Sequence, residues 1–335
     1  MGRLVDGVWH VSSVATSDGA GSYDRLPRTF LDTISPSHPI YRPAANRYHL
    51  YASYACPWAT RALIYRQLKG LEAYISVDVV HPDMFDDGWI FDDTFSGSSQ
   101  DSLHGFKYLR QVYLKSNPLV STSVTVPVLW DKKTGSIVNN ESSQIIRIFN
   151  SAFNDLNGNT DDFYPQQLRS EIDSLNETIY QTVNNGVYKT GFATNQESYN
   201  EAVTDLFATL DELDERLTVA KYLLGDEITE ADLRLIPTLL RFDVVYFTHF
   251  KCNWKRIIDY RNLHRYMLDM YSIPAIKDTY RVDHIKRHYY RSHEIINPYG
   301  IIPKGASTSV LKFAADRPLP VNELFFYNHF KKCRF

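Results

Sequence analysis

Cys56-Pro57 stands between a short β-prone run, Tyr48-His49-Leu50-Tyr51, and a helical pattern that runs from Trp58 to Leu68. This junction restricts the fold more than any other stretch. Proline fits at the first helical position, where its missing N–H costs nothing, and Gly70 supplies the stop beyond Leu68 and Lys69. Tyr74 to Val80 reads as a second strand, so the segment predicts a β-α-β unit with a right-handed crossover. From His81 to Ser123 the chain is polar with embedded aromatics, an insert that interrupts the domain without ending it. Val124 to Trp130, with Pro127 inside it, predicts another strand, Gly135 to Val138 its hairpin partner, and Glu141 to Phe149 a helix.

Beyond the Gly/Asn/Asp-rich stretch from Asn154 to Asp162 the pattern turns helical and stays so. Helices are expected over Gln166 to Val183, Gln196 to Thr218, Glu230 to Tyr246, Leu263 to Tyr271 and Ala275 to Lys286. Thr229 with Asp232 forms the expected capping box of the third. The fold class is therefore α/β plus all-α, with an extended prefix over 1–45, an α/β domain over 46–155, a helical domain over 160–305 and an arm over 306–335.

Composition removes whole classes of function. Among 335 residues, 36 Lys and Arg against 39 Asp and Glu leave a charge of −3, which gives no field for a nucleic-acid backbone. Apolar stretches are broken by charge well short of a membrane span, and the first residues lack the apolar core of a secretory signal. Three scattered cysteines, Cys56, Cys252 and Cys333, make no disulfide framework and point to a reducing, cytoplasmic setting.

Cys56 is the candidate nucleophile. At the start of a helix it faces unpaired N–H groups and the positive end of the dipole, which predicts a lowered pKa and a thiolate. Position 59 is Ala, so no second thiol resolves a mixed disulfide from this turn and the chemistry is monothiol. Pro127 cannot donate to a ladder, which places it at an edge or in a special peptide geometry. His284 and His288 stand four apart in a basic stretch, but without Cys or acidic ligands at matching spacing they read as part of a cationic helix rather than a zinc site.

Tyr54-Ala55-Cys56-Pro57-Trp58-Ala59, Thr125-Val126-Pro127 and Asn140-Glu141-Ser142 together resemble a glutathione transferase, over roughly Asn46 to Gly305. More narrowly, the runs 86–89, 126–131, 137–143 and 297–303 resemble the glutathionyl-hydroquinone reductases, or xi-class glutathione transferases. The resemblance implies a thioredoxin-like N-terminal domain, an all-helical C-terminal domain that holds the acceptor, glutathione as co-substrate, no metal and a homodimer. It implies that Glu141 and Ser142 take the γ-glutamyl end at a helix start, that Val126 ahead of a cis-Pro127 offers its backbone to the cysteinyl residue, and that Trp89 lies along the tripeptide. Tyr188 and the pair Tyr289-Tyr290 resemble the family's acceptor-site tyrosines, whose phenols assist proton transfer to a glutathionylated hydroquinone. Ser123 stands where the family carries an Arg, which leaves Lys115 or Arg110 to meet the glycyl carboxylate. Two other readings of the same motifs are an omega-like transferase acting on dehydroascorbate or glutathionylated thiols, and a catalytically silent transferase scaffold.

Overall fold

The structure, a computed structural model, describes residues 2–11, 21–23, 25 and 27–305. The expected arm over 306–335, with Cys333, lies outside the described residues.

The core of the first half is a mixed sheet whose central strand, β3 (Tyr48–Ala52), is buried along its whole length. β3 runs parallel to β4 (Ile75–Val79) and antiparallel to β8 (Val128–Asp131), which pairs in turn with β9 (Ser136–Asn139), in the order β4-β3-β8-β9. Helix α1 (Pro57–Leu68) crosses between the two parallel strands and packs against α3 (Ser142–Ser151). Gly70 ends α1 at φ +61, a value an L side chain rarely adopts. The insert holds a small hairpin of β5 (Met84–Phe85) and β6 (Gly88–Trp89), followed by α2 (Leu109–Ser116).

The strand expected over 124–130 begins only at Val128, because the Val126–Pro127 peptide is cis and proline has no N–H to give, while Thr122–Ser123, ahead of the expected range, forms β7 in another sheet. β7 pairs with β1 (Gly2–Val5), which makes a hairpin with β2 (Val8–Val11) across Asp6-Gly7. That hairpin escaped the sequence reading although Asp-Gly between short apolar runs is a strong turn signal. Downstream, a strap over 27–32 is pinned beside β9 by the Leu31–Asn139 bridge and by exchange between Phe30 and Asn140.

The second half is helical: α4 (Asn154–Asn157), α5 (Arg169–Ile179), α6 (Gly186–Phe192), α7 (Gln196–Arg216), α8 (Glu230–Arg241), α9 (Phe247–His249), α10 (Arg261–Tyr271), α11 (Pro274–Lys277) and α12 (Val282–Ser292). Two π-turns, Tyr180–Asn184 and Phe242–Tyr246, interrupt what the periodicity reads as continuous helices. Helix α6 was not expected, since Gly186 and Gly191 weaken helical propensity. A Cβ on Gly191 would meet the Phe250 ring at 2.3 Å, so close packing explains that glycine. The single helix expected over 275–286 is broken between α11 and α12, where Thr279 Oγ1 turns back onto the carbonyls of Ala275 and Ile276. The capping box of Thr229 and Asp232 is present as read.

The halves share one continuous core and are tied by charge as well. Arg61 of α1 donates to Asn184 Oδ1 and the Arg234 carbonyl, and Arg147 of α3 pairs with Glu230 of α8 at 2.9 Å. Among the described residues, no helix is long and apolar enough to cross a membrane.

Candidate active site

Cys56 is the N-cap of α1, and its thiol donates to the Val126 carbonyl at 3.7 Å. The cis peptide turns that carbonyl toward the helix start, so two segments 70 positions apart meet at the sulfur. Burial pushes the Cys56 thiol up. The N–H groups of Ala59 and Trp58 and the guanidinium groups of Arg241 and Arg25 oppose that shift without reversing it. This corrects the expectation of a lowered pKa: the helix terminus acts in the expected direction, but desolvation is larger.

Two cavities meet here. The larger, ≈540 Å³, runs between the strap, the cis-proline segment and the start of α3, lined among others by Arg28, Arg61, Val126, Pro127, Glu141 and Ser142. The smaller, ≈70 Å³, holds Cys56, Trp89, Tyr188, His288, Tyr289 and His293. Arg25, Arg28, Trp58 and Val126 border both.

Glu141 caps α3, accepting from the Ser143 N–H at 2.9 Å, and its other oxygen lies 4.0 Å from Arg28 Nε. Ser142 is the first residue of the helix, beside this carboxylate. Tyr113 braces the neighbouring strand by donating to the Thr125 carbonyl at 2.8 Å.

In the smaller cavity the phenols form a chain. Tyr188 and Tyr289 hydroxyls are 2.5 Å apart, and Tyr246 reaches Tyr289 at 3.0 Å. Burial holds all three well into their protonated form by raising their pKa values. Of the expected pair, Tyr289 faces Cys56, whereas Tyr290 points to the Val244 carbonyl and packs on His249. Tyr246 was missed because it ends a π-turn, which shifts its face out of the helical period.

Trp89 stacks on His288 at 4.8 Å. The Pro82 carbonyl, 2.8 Å from His288 Nδ1, can only accept, so Nδ1 carries the proton, and burial pushes this ring down to about 4. His284 is bonded through Nε2 to the Ser96 carbonyl. The two histidines thus anchor the insert to α12, and among the described residues no cluster of His, Cys, Asp or Glu is placed to hold a metal ion.

Neither Lys115 nor Arg110 lines either of these two cavities, and Arg110 is engaged by Asp87 at 2.8 Å. Cationic groups come instead from the N-terminal segment, which the sequence reading passed over. Arg25 donates to Asn185 Oδ1 at 2.7 Å and lies over the rings of Trp58 and Tyr188 at 4.7 and 4.6 Å.

Residues 55–152 match the family model of the glutathione S-transferase N-terminal domain, and 196–268 that of the C-terminal domain. The chain is 50% identical over 312 residues to the glutathionyl-hydroquinone reductase YqjG of Escherichia coli, covering 91% of this chain and 95% of the relative. The chain belongs to the glutathionyl-hydroquinone reductases, the xi class of glutathione transferases. The xi-class glutathione S-transferase of Phanerochaete chrysosporium superposes with a TM-score of 0.85 at 50% identity, over 87% of this chain and 95% of that one. The glutathione-bound structure of YqjG gives 0.85 at 48% identity, over 93% and 97%. As a glutathionyl-hydroquinone reductase, this chain is an enzyme with a thioredoxin-like first half and a helical second half.

Proposed function

We propose that the enzyme reduces glutathionyl-hydroquinones to hydroquinones through a mixed disulfide on Cys56. Glutathione is the co-substrate. The larger cavity takes the tripeptide, with its γ-glutamyl end at Glu141 and the start of α3, its cysteinyl backbone along Val126 and Pro127, and Trp89 beside it. Arg28, at the junction of the cavities, supplies the positive charge that the Arg expected at position 123 would have brought.

Cys56 thiolate attacks the glutathione sulfur of the substrate. The S–S bond forms as the aryl C–S bond breaks, and the departing carbon takes a proton, giving free hydroquinone. Tyr188 and Tyr289 donate to the ring oxygen and steady the ketonised ring while that proton arrives. A second glutathione thiol then attacks the mixed disulfide, releasing oxidised glutathione and returning Cys56 as thiol. The observation that carries this reading is the lone thiol at the junction of a polar cleft and a phenol-lined cavity. We read the enzyme as a homodimer of a reducing, cytoplasmic compartment, in keeping with the unpaired Cys56 and Cys252.

Turnover of a glutathionyl-hydroquinone and of dehydroascorbate, by wild type and Cys56→Ser, tests the proposal. Wild type should prefer the hydroquinone conjugate and take up one glutathione on Cys56 from oxidised glutathione, seen by intact mass. The Ser variant should lose roughly 10³-fold or more. Faster turnover of dehydroascorbate favours the omega-like reading, and turnover retained by Cys56→Ser removes the mechanism.

A further inference from the structure

Arg241 closes α8 in the helical half and is completely buried. Among the described residues, its hydrogen bonds all go to neutral acceptors. Nε donates to the Ala55 carbonyl at 3.0 Å, and Nη2 to the Tyr54 carbonyl at 2.8 Å and to Thr60 Oγ1 at 2.9 Å. Nη1 donates to the Pro237 carbonyl of its own helix at 2.7 Å. Thr60 Oγ1 in turn donates to the Cys56 carbonyl at 2.9 Å. The carbonyls of Tyr54, Ala55 and Cys56, the whole turn ahead of α1, are thus held directly or through one hydroxyl by a single guanidinium.

Arg47 and Arg147, which also pass between elements, have carboxylates, Asp131 at 2.6 Å and Glu230 at 2.9 Å, and buried Arg61, bonded to neutral acceptors, still feels the carboxylates of Glu141 and Glu230. Among the described residues, no carboxylate forms an ion pair with Arg241. A buried charge without an opposite charge is costly, so its retention asks for an anion that forms nearby. The groups that face Cys56 narrow the choice. Tyr188, Tyr246 and Tyr289 are held protonated by burial, and burial keeps His288 and His293 neutral. Arg25 and Arg28 are cations of the N-terminal segment. The anion left is the sulfur itself, and the field of Arg241 acts on Cys56 in the direction that favours it.

We propose that Arg241 is a positioning residue for the reaction: its fork fixes the turn that presents Cys56, and its charge is balanced when Cys56 ionises. The inference rests on Cys56 as the reacting thiol, an assignment that fails separately if Cys56→Ser retains turnover.

The test is the pH profile of Cys56 alkylation, read by peptide mass, with turnover of a glutathionyl-hydroquinone and circular dichroism on the same samples. Arg241→Gln should raise the alkylation midpoint by about 1 pH unit, the lower end for loss of one nearby opposite charge. The KM for glutathione should move less than about threefold, since Arg241 lines neither cavity. A folded Arg241→Gln protein with an unchanged midpoint overturns the proposal. Should that variant not fold, Arg241→Lys decides. It keeps a charge but has no planar fork to span two carbonyls and a hydroxyl, so it should lose roughly tenfold in kcat and raise the midpoint by a smaller amount. Lys with wild-type kcat and midpoint overturns the proposal. Lys with lowered kcat and a midpoint raised by about 1 pH unit or more, although the charge is kept, overturns the charge balance and keeps only the hold on the turn.

Discussion

The two cavities share a wall, yet they treat charge in opposite ways. In the larger one opposite charges are paired: Glu141 sits near Arg28, and Arg147 reaches both Glu230 and Asp173. In the smaller one burial pushes Cys56, Tyr188 and Tyr289 up and His288 and His293 down. Recognition is thereby kept where water screens it, and chemistry where a single new charge is felt strongly. The difference also says when the thiolate is made. At rest burial favours the thiol over the thiolate even beside Arg25 and Arg28, so ionisation belongs to the occupied enzyme.

The largest expected effect that would break this division lies on the phenol side. Tyr188→Phe should slow glutathionyl-hydroquinone reduction by something like 10²-fold, yet leave reduction of a small glutathione mixed disulfide nearly intact, because a disulfide needs no proton at carbon. Tyr290→Phe, outside the cavity, should leave both assays within about twofold. Equal loss on both substrates for Tyr188→Phe would mean that the tyrosine serves binding or folding, and the two cavities would not be chemically distinct.

On the polar side, Glu141→Ala should weaken glutathione by about 1.5–3 kcal/mol, the worth of a charge-assisted hydrogen bond. Calorimetric titration with unchanged affinity would take Glu141 out of the tripeptide site. Tyr188→Phe in the same titration should bind as wild type does.

The smallest effect is on stability. Burial pushes His249 down to about 3 and His288 down to about 4, so each binds its proton less tightly in the native state than in the unfolded chain. Their contribution is complete above pH 6.5 and is lost as the pH falls toward those values. Between pH 7.5 and 5.5 each should cost about 1.4 kcal/mol, measured by urea unfolding. His249→Gln should flatten the slope, and a wild type equally stable at both pH values would show that these rings are not kept dry.

What the sequence made legible was local. Cys56-Pro57, the cis-proline segment and the Glu141 cap are each written within a few residues, and backbone stereochemistry allows them few arrangements. The helical half was readable as helices because apolar spacing is periodic, but its contribution to the site was not. Tyr246 depends on a π-turn, Arg241 on packing across 186 positions to Ala55, and Arg25 on a segment with no periodicity at all. Tyr289 and Tyr290 are neighbours that periodicity alone could not separate. Only the packing of α12 against the turn that carries Tyr246 turns one inward.

The first strand has a consequence for the way the chain is made. Arg3 in β1 pairs with Ser123 in β7, so this strand waits for a partner 120 positions later. A nascent chain that has reached residue 100 can already close β3, α1 and β4 around Cys56, since those contacts are short in sequence. It cannot yet anchor the amino-terminal hairpin. The thiol itself keeps an open side for longer, until the helical half brings Tyr188, His288 and Tyr289 to the cavity it shares with them.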